Sequence, residues 1–165
     1  FKQIKNIYKI IPECQTNFVF AKKNPKIIKD VLGISGRLVK SGKEVVTAGE
    51  IVYGGSQHVG TAVIQVNKKF PEVRSGINIK YDPKIISKAK KSKLTVLSYD
   101  RTKESKKSKR RENSSISWGI SSCLNAKSPD VIYHKGDVGK EPMILIFGNN
   151  PNEIIQKVSK LTSFR

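Results

Sequence analysis

PDVIYHKGDVGKEPMILIFGNNPNEII, residues 129–155, decides the fold. VIY and MILIF are short apolar runs, and MILIF is nearly continuous, as a strand covered on both faces should be. Asn150 followed by Pro151 is a helix start, an N-cap residue with proline at the first helical position. Ile154, Ile155, Val158 and Leu161 then fall on one helical stripe. Between the strands, HKGDVGKEPM (134–143) sets one histidine, two lysines, an aspartate, a glutamate and two glycines. A hairpin needs far less chemistry than that, so this loop is a candidate to hold a ligand.

Outward from this core the same device recurs. Asn24-Pro25 precedes KIIKDVL and Asp82-Pro83 precedes KIISKAKK, predicting two more helices. HVGTAVIQV puts Val59, Ala62, Val63 and Val66 on one face, and SISWGISSCLNA does so with Ile116, Ile120, Cys123 and Leu124. FKQIKNIYKI offers a further helix through Phe1, Ile4, Tyr8 and Ile11. NFVF, EVVTAGEIVY, GINIKY and TVLSY read as strands, TVLSY covered on both faces, and GRLVKSGKEVV as a hairpin around Ser41-Gly42. From Ile51 onward the order is strand, helix, strand, helix, strand, helix, strand, strand, helix. That order predicts one three-layer α/β/α domain over 1–165 with a mixed sheet.

Composition agrees. The 165 residues are 37% hydrophobic and 27% charged, enough for one globular core. No apolar run reaches the roughly 18 residues of a membrane span. Cys14 and Cys123 lack CxxC spacing, which argues for a reduced, cytoplasmic protein without a zinc site or disulfide framework. The chain opens FKQIKN without an initiator methionine, as the C-terminal part of a longer protein would. Thirty-two Lys+Arg against 13 Asp+Glu give +19, a balance that first suggests nucleic acid. Its densest part, TKESKKSKRRENSS, has no aromatic side chain for base stacking and the composition of a solvated loop. A nucleic-acid partner is therefore the weaker reading, and a lysine-rich surface the stronger.

In α/β domains ligands gather in loops past strand ends, where helix N-termini offer N–H groups. GGSQHVG (54–60) supplies Gly54, Gly55, Ser56 as a cap for the next helix, and His58, but no Walker spacing. Arg74 precedes GINIKY, which carries Asn78 inside an apolar run, a buried amide that needs partners. Asp100-Arg101 follows TVLSY, and Gly136, Gly139, Lys140 and Glu141 follow VIYH. Both histidines, His58 and His134, stand in such loops. HxH, HExxH and GxSxG are all absent, so a metal would arrive with a phosphate ligand, and acyl transfer has no support. The residues describe a cationic, glycine-rich site for a phosphorylated ligand, and do not name a reaction.

IPECQTNFVFA, GRLVKSG, YGGSQHVGTAV, RSGINIKYD, SYDR, SSISWGI and PDVIYHKGDVGKEPMILIFGNNP resemble the archaeal-type thiamine-phosphate synthase (ThiN) domain from about Ile11 to the C-terminus. The resemblance implies a class II aldolase (AraD)-like fold and a hydroxymethylpyrimidine (phosphate) kinase domain ahead of Phe1. It implies a reaction in which a thiazole nitrogen displaces pyrophosphate from hydroxymethylpyrimidine diphosphate, with Mg²⁺ accompanying the pyrophosphate. Carried onto this sequence, it makes Arg74, Arg101 and Lys140 contacts to pyrophosphate and phosphate, with Gly54, Gly55 and Ser56 as a backbone cradle. His58 and His134 become hydrogen-bond partners of phosphate or substrate, and Asn17, Asn78 and Glu141 recognise pyrimidine or thiazole. Asp100, Gly136 and Gly139 complete the binding set, and a homodimer is implied. The basic stretch 102–111 is longer and more charged than the family pattern. Similar domains fused to DNA-binding helices sense thiamine phosphate without turnover, which leaves an effector domain as the alternative and a nucleic-acid module as the third.

Overall fold

The computed structural model describes residues 1–104 and 114–163. Their strands are β1 (Phe18–Ala21), β2 (Val31–Ile34), β3 (Leu38–Ser41), β4 (Glu44–Thr47), β5 (Ile51–Tyr53), β6 (Ser75–Lys80), β7 (Val96–Ser98), β8 (Val131–His134) and β9 (Met143–Gly148). The α-helices are α1 (Gln57–Asn67), α2 (Pro83–Lys91), α3 (Ser114–Cys123) and α4 (Pro151–Thr162). Seven strands form one mixed sheet in the order β5-β2-β1-β6-β9-β8-β7, in which β7 and β8 alone run parallel.

Strand β9 lies inside that sheet, paired with β6 and β8, and all six of its residues are buried. Its period-2 alternation explains the near-continuous apolar run. Ile144 and Ile146 join a core with Ile77, Ile79, Ile85, Ile154, Val158 and Leu161 on the α2/α4 face. Leu145 and Phe147 join Val19, Val59, Val63, Ile116, Ile120 and Ile132 on the α1/α3 face. Each such side chain removed from water contributes about 1.5–3 kcal/mol before entropy is charged against it. The result is the expected α/β/α layering, with the β3–β4 hairpin turning at Gly42-Lys43 and adding Leu38 and Val45 to the α2/α4 side.

Two of the Pro-marked helix starts hold. Asp82 Oδ1 accepts from the Lys84 N–H at 2.7 Å, and Asn150 Oδ1 from the Glu153 N–H at 3.0 Å. Asn24-Pro25 starts no α-helix. Asn24 adopts φ 50°, outside the extended N-cap conformation, and Asp30 turns its carboxylate back onto the Lys26 and Ile27 N–H groups. That closes a 3₁₀ turn, Ile28–Asp30, and frees Val31–Ile34 to pair as β2. The N-terminal segment likewise forms only a 3₁₀ turn, Ile7–Ile10, preceded by Asn6 at φ 61°. TVLSY is an edge strand, so Val96 and Leu97 are half-buried rather than covered on both faces. No helix among the described residues is long and apolar enough to cross a membrane. Both cysteines are free. The residues Lys106, Lys107, Lys109, Arg110 and Arg111 of the basic stretch lie outside the described residues.

Candidate active site

A cavity of about 1350 Å³ opens where β7 and β8 end and β9 begins, beside the N-termini of β1 and α1. The turn 54–56 folds back on β2 to bring the first turn of α1 to it. Gly55 is required there, because a Cβ would sit 2.3 Å from the Gly33 carbonyl oxygen. Gly54, Gly55, Ser56 and His58 all line the cavity. Ser56 occupies the N-cap position, yet its hydroxyl makes no capping bond, which corrects its expected role.

Arg101 comes from the 3₁₀ turn after β7 and is 6% exposed. Its charge is balanced by buried Glu104 at 3.8 Å, and Ser115 of α3 donates to the same carboxylate. Asp100, its sequence neighbour, is exposed and caps this turn by accepting from the Thr102 N–H at 3.0 Å. It is therefore a support for Arg101 rather than part of the lining. His134 is the last residue of β8, not a loop residue, and is 2% exposed. Burial pushes its pKa down to about 3, with the Arg101 charge and His58 adding to the effect. His58 is held down at about 4 by burial and then by the charges of Arg101, Arg37 and Lys140. Both imidazoles are neutral near pH 7, so neither adds a charge to this cationic end of the cavity.

The remaining expected residues divide. Lys140 and Gly139 line the cavity, Lys140 with its ammonium exposed. Gly136 shapes the loop instead: at φ 82° its Cβ would meet the Lys140 carbonyl oxygen at 2.3 Å. Glu141 lines the cavity, but its carboxylate accepts from the Glu13 N–H at 3.0 Å and the Cys14 N–H at 3.1 Å. It latches the 13–15 loop to the rim. Asn17 donates to the Ile34 and Gly55 carbonyls and accepts from the Ile34 N–H, so both its donors are spent on backbone. Asn78 accepts from the Asn17 N–H at 2.7 Å and donates to the Gln15 carbonyl at 2.9 Å. These two amides line the cavity and at the same time fasten β1, β2 and β6 beneath it.

Arg74 is not in the cavity. It immediately precedes β6, four residues before Asn78 and about 13 Å from it at the usual rise per strand residue. There it donates to the Ala21 carbonyl and stacks over Phe20 at 4.6 Å. Its phosphate role is accordingly withdrawn. Arg37 takes the place it was given. It lines the cavity, donates to the Cys14 carbonyl, and adopts φ 72°, a left-handed conformation uncommon outside glycine. Its sequence setting, GRLVKSG, matches the family pattern but reads locally as a hairpin, so no chemistry of the stretch itself marks Arg37. Cys14, also at the rim, is pushed up to about 11 by burial and then by the Glu141 charge, and stays a thiol. Among the described residues no group of three His, Cys, Asp or Glu is placed to hold a metal ion.

A cradle of three cations, two neutral imidazoles and a helix N-terminus suits a phosphorylated ligand, and the comparisons give it a lineage. The family model for thiamine-phosphate synthase ThiN matches residues 1–160. The chain belongs to the thiamine-phosphate synthase ThiN family. It is 38% identical over 154 residues to "Thiamine-phosphate synthase ThiN" of Methanothermobacter thermautotrophicus, covering 92% of this chain and 81% of that protein. It is 35% identical over 156 residues to "Bifunctional thiamine biosynthesis protein ThiDN" of Methanocaldococcus jannaschii, where it spans 92% of this chain but 36% of the relative. Among solved structures it is similar to the C-terminal domain of a phosphomethylpyrimidine kinase, with TM-score 0.89 and 42% identity over 94% of this chain and 89% of that one.

Proposed function

We propose that this chain is the synthase itself, joining hydroxymethylpyrimidine diphosphate to a thiazole phosphate and releasing pyrophosphate. The observation that carries the reading is the convergence of Arg37, Arg101 and Lys140 on His58 beside the N-terminus of α1. In the reaction the thiazole nitrogen supplies its lone pair to the methylene carbon while the carbon–oxygen bond to the diphosphate breaks. The oxygen leaves with the electron pair, and no proton moves. What the protein must provide is alignment of two anions and stabilisation of charge on the leaving oxygen. Arg101 serves the diphosphate, with the α1 N-terminus; Arg37 and Lys140, nearer the rim, serve the second anion. Ile116, Val59 and Met143 give the cavity an apolar wall for the rings.

Mg²⁺ fits only as a partner of the diphosphate, since it keeps several waters and needs only one or two carboxylates. Glu13 and Asp137 are the lining carboxylates other than the latched Glu141. When bound, it would supply charge neutralisation on the leaving group. The sheet between two helix layers supports a class II aldolase-like architecture. A kinase domain in the same chain, a homodimer and a cytoplasmic setting complete the reading. The test is direct: purified protein, hydroxymethylpyrimidine diphosphate, thiazole phosphate and Mg²⁺, with thiamine phosphate and released pyrophosphate both quantified. Equal amounts of the two support the synthase. Tight binding of thiamine phosphate without turnover would establish the effector domain instead.

A further inference from the structure

Of the two histidines in the cavity, one has its tautomer fixed by the protein. The Gly136 N–H donates to His134 Nδ1 at 3.1 Å. A ring nitrogen that accepts carries a lone pair, so in the neutral imidazole the proton is on Nε2. Nε2 is buried and has no hydrogen-bond partner among the described residues, and the same holds for Arg101 Nε. Both residues line the one cavity, and the Arg101 charge acts on the His134 ring. Two buried donors of one cavity lining therefore lack an acceptor among the described residues, an arrangement that is costly unless a ligand supplies one.

We propose that His134 Nε2–H and Arg101 Nε–H form a donor pair for an oxygen of the diphosphate leaving group, with His134 acting as an uncharged donor and never as an acid. This deepens the synthase reading and rests on it. The 134–143 loop is the device that sets the tautomer. Gly136 is confined to φ 82°, and Asp137 and Lys140 exchange backbone hydrogen bonds of 3.1 and 2.8 Å across the turn. On its other side the imidazole is held by the Tyr99 ring, 5.2 Å away between centroids. An anionic oxygen satisfies both donors at once, and hydrogen bonds to a charged acceptor are the stronger kind. A ring nitrogen of the pyrimidine could engage one of them only.

The test has two arms on the full chain. Long-range ¹⁵N NMR of the histidine rings reads the tautomer with and without inorganic pyrophosphate. The expected result is a neutral Nε2–H ring for His134 in both states, with the Nε2 signal shifting on binding; an Nδ1–H ring or an imidazolium overturns the proposal. Calorimetric titration with inorganic pyrophosphate then compares wild type, His134→Gln and His134→Leu. Loss of one hydrogen bond to a charged acceptor predicts roughly tenfold or weaker binding for the leucine variant, and substantial recovery in glutamine, whose amide still donates. Unchanged binding in the leucine variant, or equal loss in both, overturns it. Should wild type bind pyrophosphate yet make no thiamine phosphate, the synthase reading fails while both arms still report on the donor pair.

Discussion

Arg101 and Arg74 show how much one side chain's work depends on where its strand ends. Arg101→Ala should lower the rate of thiamine phosphate formation more than about tenfold, since one lost cationic contact to a leaving group costs several kcal/mol. It should also lower the thermal midpoint, because it removes the Arg101 guanidinium 3.8 Å from the buried Glu104 carboxylate. The double variant Arg101→Ala/Glu104→Gln should recover the midpoint and not the rate; recovery of both would remove Arg101 from the site. Arg74→Ala should keep the rate within about threefold of wild type, the expectation for a residue far from the chemistry. The histidines give a pH prediction. Their folded pKa values, about 4 and about 3, lie below the ordinary 6.5. The unfolded chain therefore binds more protons between those values, and stability rises with pH there. The destabilisation is absent above about pH 6.5 and grows as pH falls toward 4, so stability should fall between pH 7.5 and 5 by about 2 kcal/mol per histidine, roughly 4 kcal/mol for the pair, read as a lower thermal midpoint. His58→Gln/His134→Gln should flatten that drop, and a parallel curve would rule out these histidines as its cause.

At the scale of elements, capping separates structure from site. Asn150→Ala should cost about 1 kcal/mol in denaturant unfolding, as loss of an N-cap bond does, whereas Ser56→Ala should cost well under that. An equal loss at both positions would mean that Ser56 caps α1 in solution. The 134–143 loop contains both kinds of residue side by side. Lys140→Ala should weaken thiazole phosphate binding with the midpoint unchanged, since the residue is exposed at the rim. Glu141→Gln should lower the midpoint, because one amide oxygen replaces a carboxylate that accepts from two backbone N–H groups. The opposite assignment of effects would reverse the two roles. Element type was legible wherever a period or a cap stood alone, as in HVGTAVIQV and NPNEII. It was misread in NPKIIKDVL, where proline and spacing favour a helix but Asp30 closes a 3₁₀ turn and pairing with β1 and β5 takes the remainder.

At the scale of the whole molecule, a second cavity of about 950 Å³ lies at the C-terminal end of β6, between the 3₁₀ turn Ile7–Ile10 and α2, with Lys9, Lys80, Lys84 and Lys88 around it. It resembles the first in charge but holds no buried histidine or arginine. Lys80→Ala/Lys84→Ala should leave thiamine phosphate formation within about threefold of wild type, as surface changes do. A tenfold loss would move the functional reading to that face. The sequence alone determined the element order from Ile51 onward, the two-sided core around MILIF, and the cationic, glycine-rich composition of the loops, because burial and turn chemistry are written in local period and composition. Only the tertiary structure decided which residues share the site. The antiparallel pairing of β6 with β1 and β9 places the cavity at the Asn78 end of β6 and so leaves Arg74 outside it, while the chain's return after β2 brings Arg37 into the same lining as His58. Strand direction is set by pairing partners distant in the chain, and no local pattern encodes it.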